Sequence, residues 1–507
     1  MVKKQQSNGI SKAAKTNAST RSKGKRKTSI KDQKTTVNHT ALAVFVAILA
    51  AAIVYIRNKI LPPSTWLSSA NKCHPKRRHL CSQSELELAA AANEHFVRGQ
   101  QLFNSGNIED SKIAFEASLQ IDSTSAFASD TYQNLGLALA KLGDVKGSMT
   151  AYKNAIKRDK TSVYAHYSLA NALSRTNNQD DWEGADVHYK IARRELAKSG
   201  EEEEGNPKLL LHVLNGRGMV LRRIGERGHS NIDNHRRYYL VHARKQFKQA
   251  FDVVQSGKVP PSSGIDVINN LHDLLRDYNY GDPDGESNSD ELMKWAVQQG
   301  IWRDKRQHPR IFNHDLYDAI AKQNGNNRVE PWIENPERHP ALKRAMDKWK
   351  QILEEYNAAK ASGLHPVGQR VDLDTELYNK KSGEDWSEYP LISDGIEHAP
   401  QIAPTATSIF RDVIPPMGTL AFSSITAGTN IKPHCGPTNE IITCHLGVLI
   451  PPHESIYELG ISAGGEKRGW NEGQWICFED SMEHTVWNRS EGTRVVLIAQ
   501  LKHPYWW

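Results

Sequence analysis

Phe422-Ser423-Ser424-Ile425-Thr426-Ala427-Gly428-Thr429-Asn430-Ile431-Lys432-Pro433-His434-Cys435-Gly436-Pro437-Thr438-Asn439 decides how the C-terminal part of this 507-residue chain is read. An apolar run, Ile441 to Ile450, follows almost at once and carries His445. Alternation along that run puts Thr443 and His445 on one face of a strand. His484 lies fifty residues after His434, within Phe478-Glu479-Asp480-Ser481-Met482-Glu483-His484-Thr485-Val486-Trp487. Ten residues further on, Arg494 opens another strand-like run, Val495 to Ile498. Short segments broken by Pro and Gly surround these motifs, as expected for a β-sandwich or jelly roll.

His-x-Gly-Pro-Thr-Asn, then His-Leu-Gly, then Asp-Ser-x-Glu-His-x-Val-Trp, together resemble the aspartyl/asparaginyl β-hydroxylase family, from roughly Gly300 to Pro504. The looser upstream part comprises Gly300-Ile301-Trp302, Gln307-x-Pro309-Arg310 and Pro331-Trp332. The resemblance implies an all-β double-stranded β-helix (jelly roll) with flanking helices, using Fe(II) with 2-oxoglutarate and O₂ as co-substrates. It implies His434 and His484 as the iron ligands, with water at the third position. That last point matters, because Gly436 stands where a carboxylate commonly completes a two-His-one-carboxylate set.

Asp480 is then either an acceptor ordering that water or simply a turn residue. Arg494 would pair the distal carboxylate of 2-oxoglutarate in two-pronged fashion, Ser423 matches the family's hydroxyl partner, and His445 matches the residue near the proximal carboxylate. Thr443 departs from the family, which usually has there an Arg that helps hold 2-oxoglutarate. Losing a charged hydrogen bond costs roughly 1.5–3 kcal/mol, or about one to two decades in affinity. Trp470, Trp475 and Trp487 are candidate apolar walls or core.

The middle of the chain repeats at the tetratricopeptide period. Gly99 to Gly136 and Phe115 to Tyr152 are both thirty-seven apart, and Ala170 lies thirty-four after Gly136. Ala185, Tyr189 and Ala192 and then Ala243, Phe247 and Ala250 continue the pattern. Small residues let paired helices approach while the aromatic fills the gap, and each pair needs a neighbour. Three to four repeats and a closing helix are expected, with Glu201 to Glu204 and Gly228 to Arg237 as loops. The segment is either a spacer or a surface that presents a protein substrate. One further helix is expected over Pro340 to Ala361, from apolar positions at three/four spacing.

The net charge of +7 resides in the N-terminus: residues 1–40 hold eleven Lys or Arg and one acid, giving +10 and leaving about −3 elsewhere. A basic folded surface for nucleic acid is therefore not expected. Ala41 to Ile56 carries no charge and no proline, and with snorkelling at Arg57 and Lys59 the run to Leu61 reaches bilayer length. A cleaved signal peptide is the competing reading. Against it, forty residues precede the run and the Ala50–Ala52 match sits inside it. The Lys/Arg excess before the span leaves the N-terminus cytosolic and the remainder lumenal.

The expected order is thus a basic tail (1–40), a membrane anchor (41–61), a linker (62–84), a tetratricopeptide-like α-helical solenoid (85–298) and the hydroxylase-like domain (300–507). The expectation is a single-pass type II endoplasmic reticulum protein with a lumenal catalytic domain. Cys73 and Cys81 could pair there, whereas Cys435, Cys444 and Cys477 read as buried apolar cysteines. Asn488-Arg489-Ser490 is a glycosylation sequon. The resemblance to the aspartyl/asparaginyl β-hydroxylase family implies hydroxylation of the β-carbon of Asp or Asn in secreted or membrane proteins, with EGF-like domains as candidate substrates. The alternatives are a lipid or small-molecule hydroxylase of the same fold and a non-catalytic scaffold.

Overall fold

The computed structural model describes residues 82–199, 205–227, 233–278, 285–361, 386–398 and 400–507. The basic tail, the 41–61 stretch, Cys73, Cys81, Glu201 to Glu204 and most of the 62–84 linker lie outside these residues. Among the described residues, no helix is long and apolar enough to cross a membrane.

Helices pair in succession: Gln83–Asn104 with Ile108–Ile121, Ala128–Lys141 with Val145–Arg158, Val163–Ser174 with Gln179–Lys198, and Pro207–Arg227 with Asp233–Gln255. The glycine–aromatic pattern explains the close approach. A Cβ on Gly99 would sit 2.6 Å from the Phe115 ring, one on Gly136 2.4 Å from Tyr152, and one on Gly218 2.4 Å from Phe247. Each aromatic thus occupies the volume a side chain would need, so either partner's enlargement would force the pair apart. Ser82 caps the first helix by accepting from the Glu85 amide, while the Glu85 carboxylate accepts from the Ser82 amide. Among the described residues four pairs form, followed by two further helices, Ile265–Asp277 and Gly285–Gln298, rather than one. Residues 233–237, expected in a loop, begin the helix Asp233–Gln255.

The C-terminal part is a sandwich of two antiparallel sheets. Its strands are β1 (Trp332–Ile333), β2 (Trp386–Ser393), β3 (Ile396–Glu397), β4 (Thr419–Ile425), β5 (Thr429–His434), β6 (Ile441–Leu449), β7 (Leu459–Ala463), β8 (Glu466–Arg468), β9 (Trp475–Phe478), β10 (His484–Asn488) and β11 (Arg494–Lys502). The large sheet runs β1-β9-β6-β11-β4-β2-β3 and the small one β5-β10-β7-β8. Period-two alternation divides the large sheet's side chains cleanly. Leu420, Phe422, Ile442, Cys444, Leu446, Val495, Leu497 and Ala499 pack outward against the helices Pro340–Asp347, Trp349–Ala361 and Pro404–Phe410. The intervening positions face the small sheet, where Ile425, Val496 and Phe478 meet Ile431, Ile461 and Val486.

Three expectations are corrected here. The helix Pro340 to Ala361 breaks at Lys348 (φ −110°, ψ 15°) into two segments, which lets Trp349 leave the first helix's face and pack on Gly473. Cys444 and Cys477 are opposed in the β6–β9 register and form a disulfide on the helix-covered face, leaving Cys435 free. Asn488 is fully buried, and its amide nitrogen donates to the carbonyls of Ile425 (3.0 Å) and Gly492 (2.8 Å). In the fold, that nitrogen is unavailable to a glycan.

Candidate active site

His434 ends β5, His484 begins β10, and the two residues are directly opposed in the register. Their ring centroids are 4.1 Å apart. Each ring is turned by a backbone carbonyl: His434 Nδ1 lies 2.8 Å from the Lys432 oxygen, and His484 Nδ1 lies 2.9 Å from the Met482 oxygen. A carbonyl only accepts, so each Nδ1 carries the proton and each Nε2 keeps its lone pair. Burial depresses the basicity of both rings, and for His434 the neighbouring His484 adds to the effect. Two neutral imidazoles with paired outer nitrogens are the state in which histidine binds a metal.

The third corner is set by packing. A Cβ on Gly436 would lie 1.8 Å from Asp480 Oδ2, so the Asp480 carboxylate occupies the room a side chain at 436 would need. The Gly436 amide also donates to the Asp480 carbonyl at 2.7 Å. Asp480 Oδ1 is 3.8 Å from His484 Nε2. Burial raises the affinity of Asp480 for its proton, although the Thr443 hydroxyl and His434 pull it back. Asp480 is thus a turn residue and, at the same time, a buried carboxyl beside the imidazole pair. Thr443 receives Gln500 Nε2 at 3.2 Å as well as bonding Asp480, so its face of β6 does look towards the pair.

Arg494, at the start of β11, is 1 % exposed, and the fraction decides its reading because nothing but protein surrounds a side chain charged at neutral pH. Its Nη1 donates to the Ser423 carbonyl at 3.3 Å, its carbon Cζ lies 4.8 Å from the Trp470 ring centroid, and its Nε is buried without a partner. Such a donor is expensive to leave unmade, and a bound carboxylate would satisfy it. Trp470 stacks on His445, His445 meets the edge of Phe478, and Phe478 contacts His484. One aromatic wall thus runs from the guanidinium to the imidazole pair. His445 is held neutral by burial and by Arg494, and its Nδ1 is also unpartnered. The Ser423 hydroxyl accepts from Trp386 Nε1 at 3.1 Å, which leaves its own proton to donate. Trp475 and Trp487, by contrast, donate to the carbonyls of Leu342 and Ile456 and belong to the core.

Sequence reading passed over a second constellation. His272, His308 and Glu483 bring their ligand atoms within 4.8 Å of one another, and the His308 Nε2 is buried without a hydrogen bond. The Arg276 guanidinium lies 2.5 Å from the same Glu483 oxygen. A fixed positive charge already occupies the cation's place there, so the spacing alone does not make this the metal centre. Glu483 adjoining His484 was the visible signal; the His and Arg partners come from the helical region and its extension.

A helical repeat joined to a double-stranded β sandwich is the class of protein that this architecture defines. The family model described as aspartyl/asparaginyl β-hydroxylase matches residues 346–504, and a tetratricopeptide repeat model matches residues 136–177. The mouse aspartyl/asparaginyl β-hydroxylase is 28 % identical over 236 residues, covering 45 % of this chain and 29 % of that protein. The ornithine lipid ester-linked acyl 2-hydroxylase of Rhizobium tropici is 30 % identical over 215 residues, covering 42 % of this chain and 67 % of that one. Among solved structures, the MamA protein is similar at 14 % identity and a TM-score of 0.30, over 41 % of this chain and 91 % of that chain. The chain belongs to the aspartyl/asparaginyl β-hydroxylase family, while spanning under a third of the length of the mammalian relatives.

Proposed function

We propose that this protein is an Fe(II)- and 2-oxoglutarate-dependent dioxygenase that hydroxylates the β-carbon of Asp or Asn in lumenal or secreted proteins. The observation that carries the reading is the opposed pair His434–His484, both Nε2 lone pairs free of backbone bonds, at one end of an aromatic wall that ends on Arg494. Iron with 2-oxoglutarate and O₂, when bound, supplies hydroxylation of an unactivated C–H bond with conversion of the oxo acid to succinate and CO₂.

The chain's own residues do the rest. His434 and His484 hold the ion, with their orientation fixed by Lys432 and Met482. Arg494 grips the distal carboxylate of the oxo acid from a dry site, where a charged hydrogen bond is strongest. Ser423 donates its hydroxyl proton to the same carboxylate, and neutral His445 offers Nδ1 to the proximal one. Asp480 holds a proton or orders a water beside the ion. The helical region presents the protein substrate. The Cys444–Cys477 bond suits an oxidising lumen, in keeping with a type II endoplasmic reticulum protein anchored through residues 41–61.

A second reading, an acyl-lipid hydroxylase, draws support from the Rhizobium relative, most of whose length this chain covers. The test is 2-oxoglutarate turnover by the full chain with Fe(II), with substrates followed by mass. Addition of one oxygen to Asp or Asn in an EGF-like domain, lost in His484→Ala, is expected. Addition to an acyl chain alone would select the second reading. No succinate, or equal succinate from His484→Ala, would leave a non-catalytic scaffold.

A further inference from the structure

Both residues that precede the imidazoles are held by one side chain from the helical region. Arg276 sits near the end of the helix Ile265–Asp277. Its Nη1 donates to Glu483 Oε2 at 2.5 Å, and Glu483 immediately precedes His484. Its Nη2 donates to the Pro433 carbonyl at 3.3 Å, and Pro433 immediately precedes His434. The third nitrogen, Nε, is tied to Asp277 at 2.9 Å, and Asp273 lies 3.3 Å from Nη2. The planar fork is therefore fixed at its base and spans β5 and β10 at the point where their two histidines meet.

Other contacts close the same seam. The Glu483 amide donates to the Arg306 carbonyl at 2.7 Å, and the Gly464 amide donates to the Glu483 carbonyl at 2.9 Å. His272 Nε2 lies 3.4 Å from Glu483 Oε2, and Ser289 holds the other nitrogen of that ring at 2.6 Å. Burial works against the Arg276 charge, but Asp273, Glu483 and Asp277 outweigh it, so the guanidinium is permanently charged. A metal's grip depends on the separation and tilt of its ligands, and partners one shell out are what fix these.

We propose that Arg276 is a positioning residue for the His434–His484 pair: its guanidinium sets the spacing of β5 and β10 at the ion, making the helical region a structural part of the metal centre. This rests on His434 and His484 being the ligands. A planar fork is needed to reach two acceptors in different strands, so lysine replaces it only in part.

The test is titration of the metal-free full chain with Mn(II), followed by calorimetry, alongside thermal melting without metal. Wild type is expected to bind one Mn(II), and His484→Ala to lose it. Arg276→Met is expected to bind about 10- to 100-fold more weakly, the range for such outer partners, with Arg276→Lys in between. Arg310→Met breaks another ion pair to the same helix, Arg310–Asp266, but touches neither histidine's neighbour, and should leave affinity unchanged. Should Arg276→Met fail to fold, Arg276→Lys and Glu483→Gln carry the comparison. Wild-type affinity in the Arg276 variants, with His484→Ala still inactive in binding, overturns the positioning role alone. Absence of binding by wild type, or binding by His484→Ala, overturns the ligand assignment and this inference with it.

Discussion

Replacing Arg494 by methionine is expected to make the protein more stable and unable to hold 2-oxoglutarate. Burial pushes the guanidinium well below its ordinary value, to about 9, with Glu388 acting in the other direction. At about 1.4 kcal/mol per pH unit, that corresponds to a cost on the order of 5 kcal/mol for carrying the charge without an anion. Two contacts return part of it: the bond to the Ser423 carbonyl, about 1.5–3 kcal/mol, and the Trp470 ring face, about 1 kcal/mol. The net gain from removing the charge is therefore ~2 kcal/mol, and the melting midpoint of a sandwich of this size should rise by ~4–8 °C. The folded-state pKa is depressed, so the unfolded chain binds more protons from about pH 9 up to the guanidinium's ordinary value. The penalty is thus complete below pH 9 and fades only as pH rises through that window. Melts at pH 7.5 with Mn(II), with and without 2-oxoglutarate, read both effects. At a hundred times its Kd the oxo acid should add about 2.7 kcal/mol to wild type and nothing to Arg494→Met, reversing their order. A variant less stable than wild type without 2-oxoglutarate, or one stabilised by it equally, would refute the reasoning.

Gly436→Asp is expected to cost about 1–3 kcal/mol through overpacking against Asp480 and to weaken Mn(II) binding. Asp480→Gly in the same chain should relieve both, and a neutral single variant would mean that Asp480 moves aside freely. Burial and Asp159 raise the Asp130 pKa to about 6, so its ionised form strains the helix at neutral pH. Asp130→Asn should then stabilise the helical region by ~1–3 kcal/mol at pH 7.5. Because the folded state binds the extra proton between pH 3.8 and 6, that gain should shrink through this window and vanish below it; a pH-independent gain would exclude ionisation as its cause. Protein secreted from glycosylating cells should carry no sugar on Asn488, as read by peptide mass. Asn488→Ala should cost about 1–3 kcal/mol, from the two carbonyls it strands.

Local pattern revealed much of this molecule. The glycine–aromatic spacing in the repeats is visible because both partners lie within one helical pair, as with Gly136 and Tyr152. Alternation alone put Thr443 and His445 on one face, and the large sheet keeps them there. What pattern could not show depended on register and on distant partners. Cys444 and Cys477 pair because β6 and β9 run side by side, which neither strand's composition specifies. The Asn488 sequon reads as a glycosylation site until its amide is seen to bridge two carbonyls. Arg276 is one arginine among many until the fold brings it to partners 157 and 207 residues away. The reason Gly436 carries no carboxylate is likewise tertiary: Asp480 already fills the space.

The most direct measurement is the anomalous-scattering map of a crystal of the full chain grown with Mn(II) and 2-oxoglutarate. One peak shared by the Nε2 atoms of His434 and His484, with the oxo acid's far carboxylate on Arg494, is the predicted result. A peak among His272, His308 and Glu483 instead, or none between the two opposed imidazoles, would contradict it.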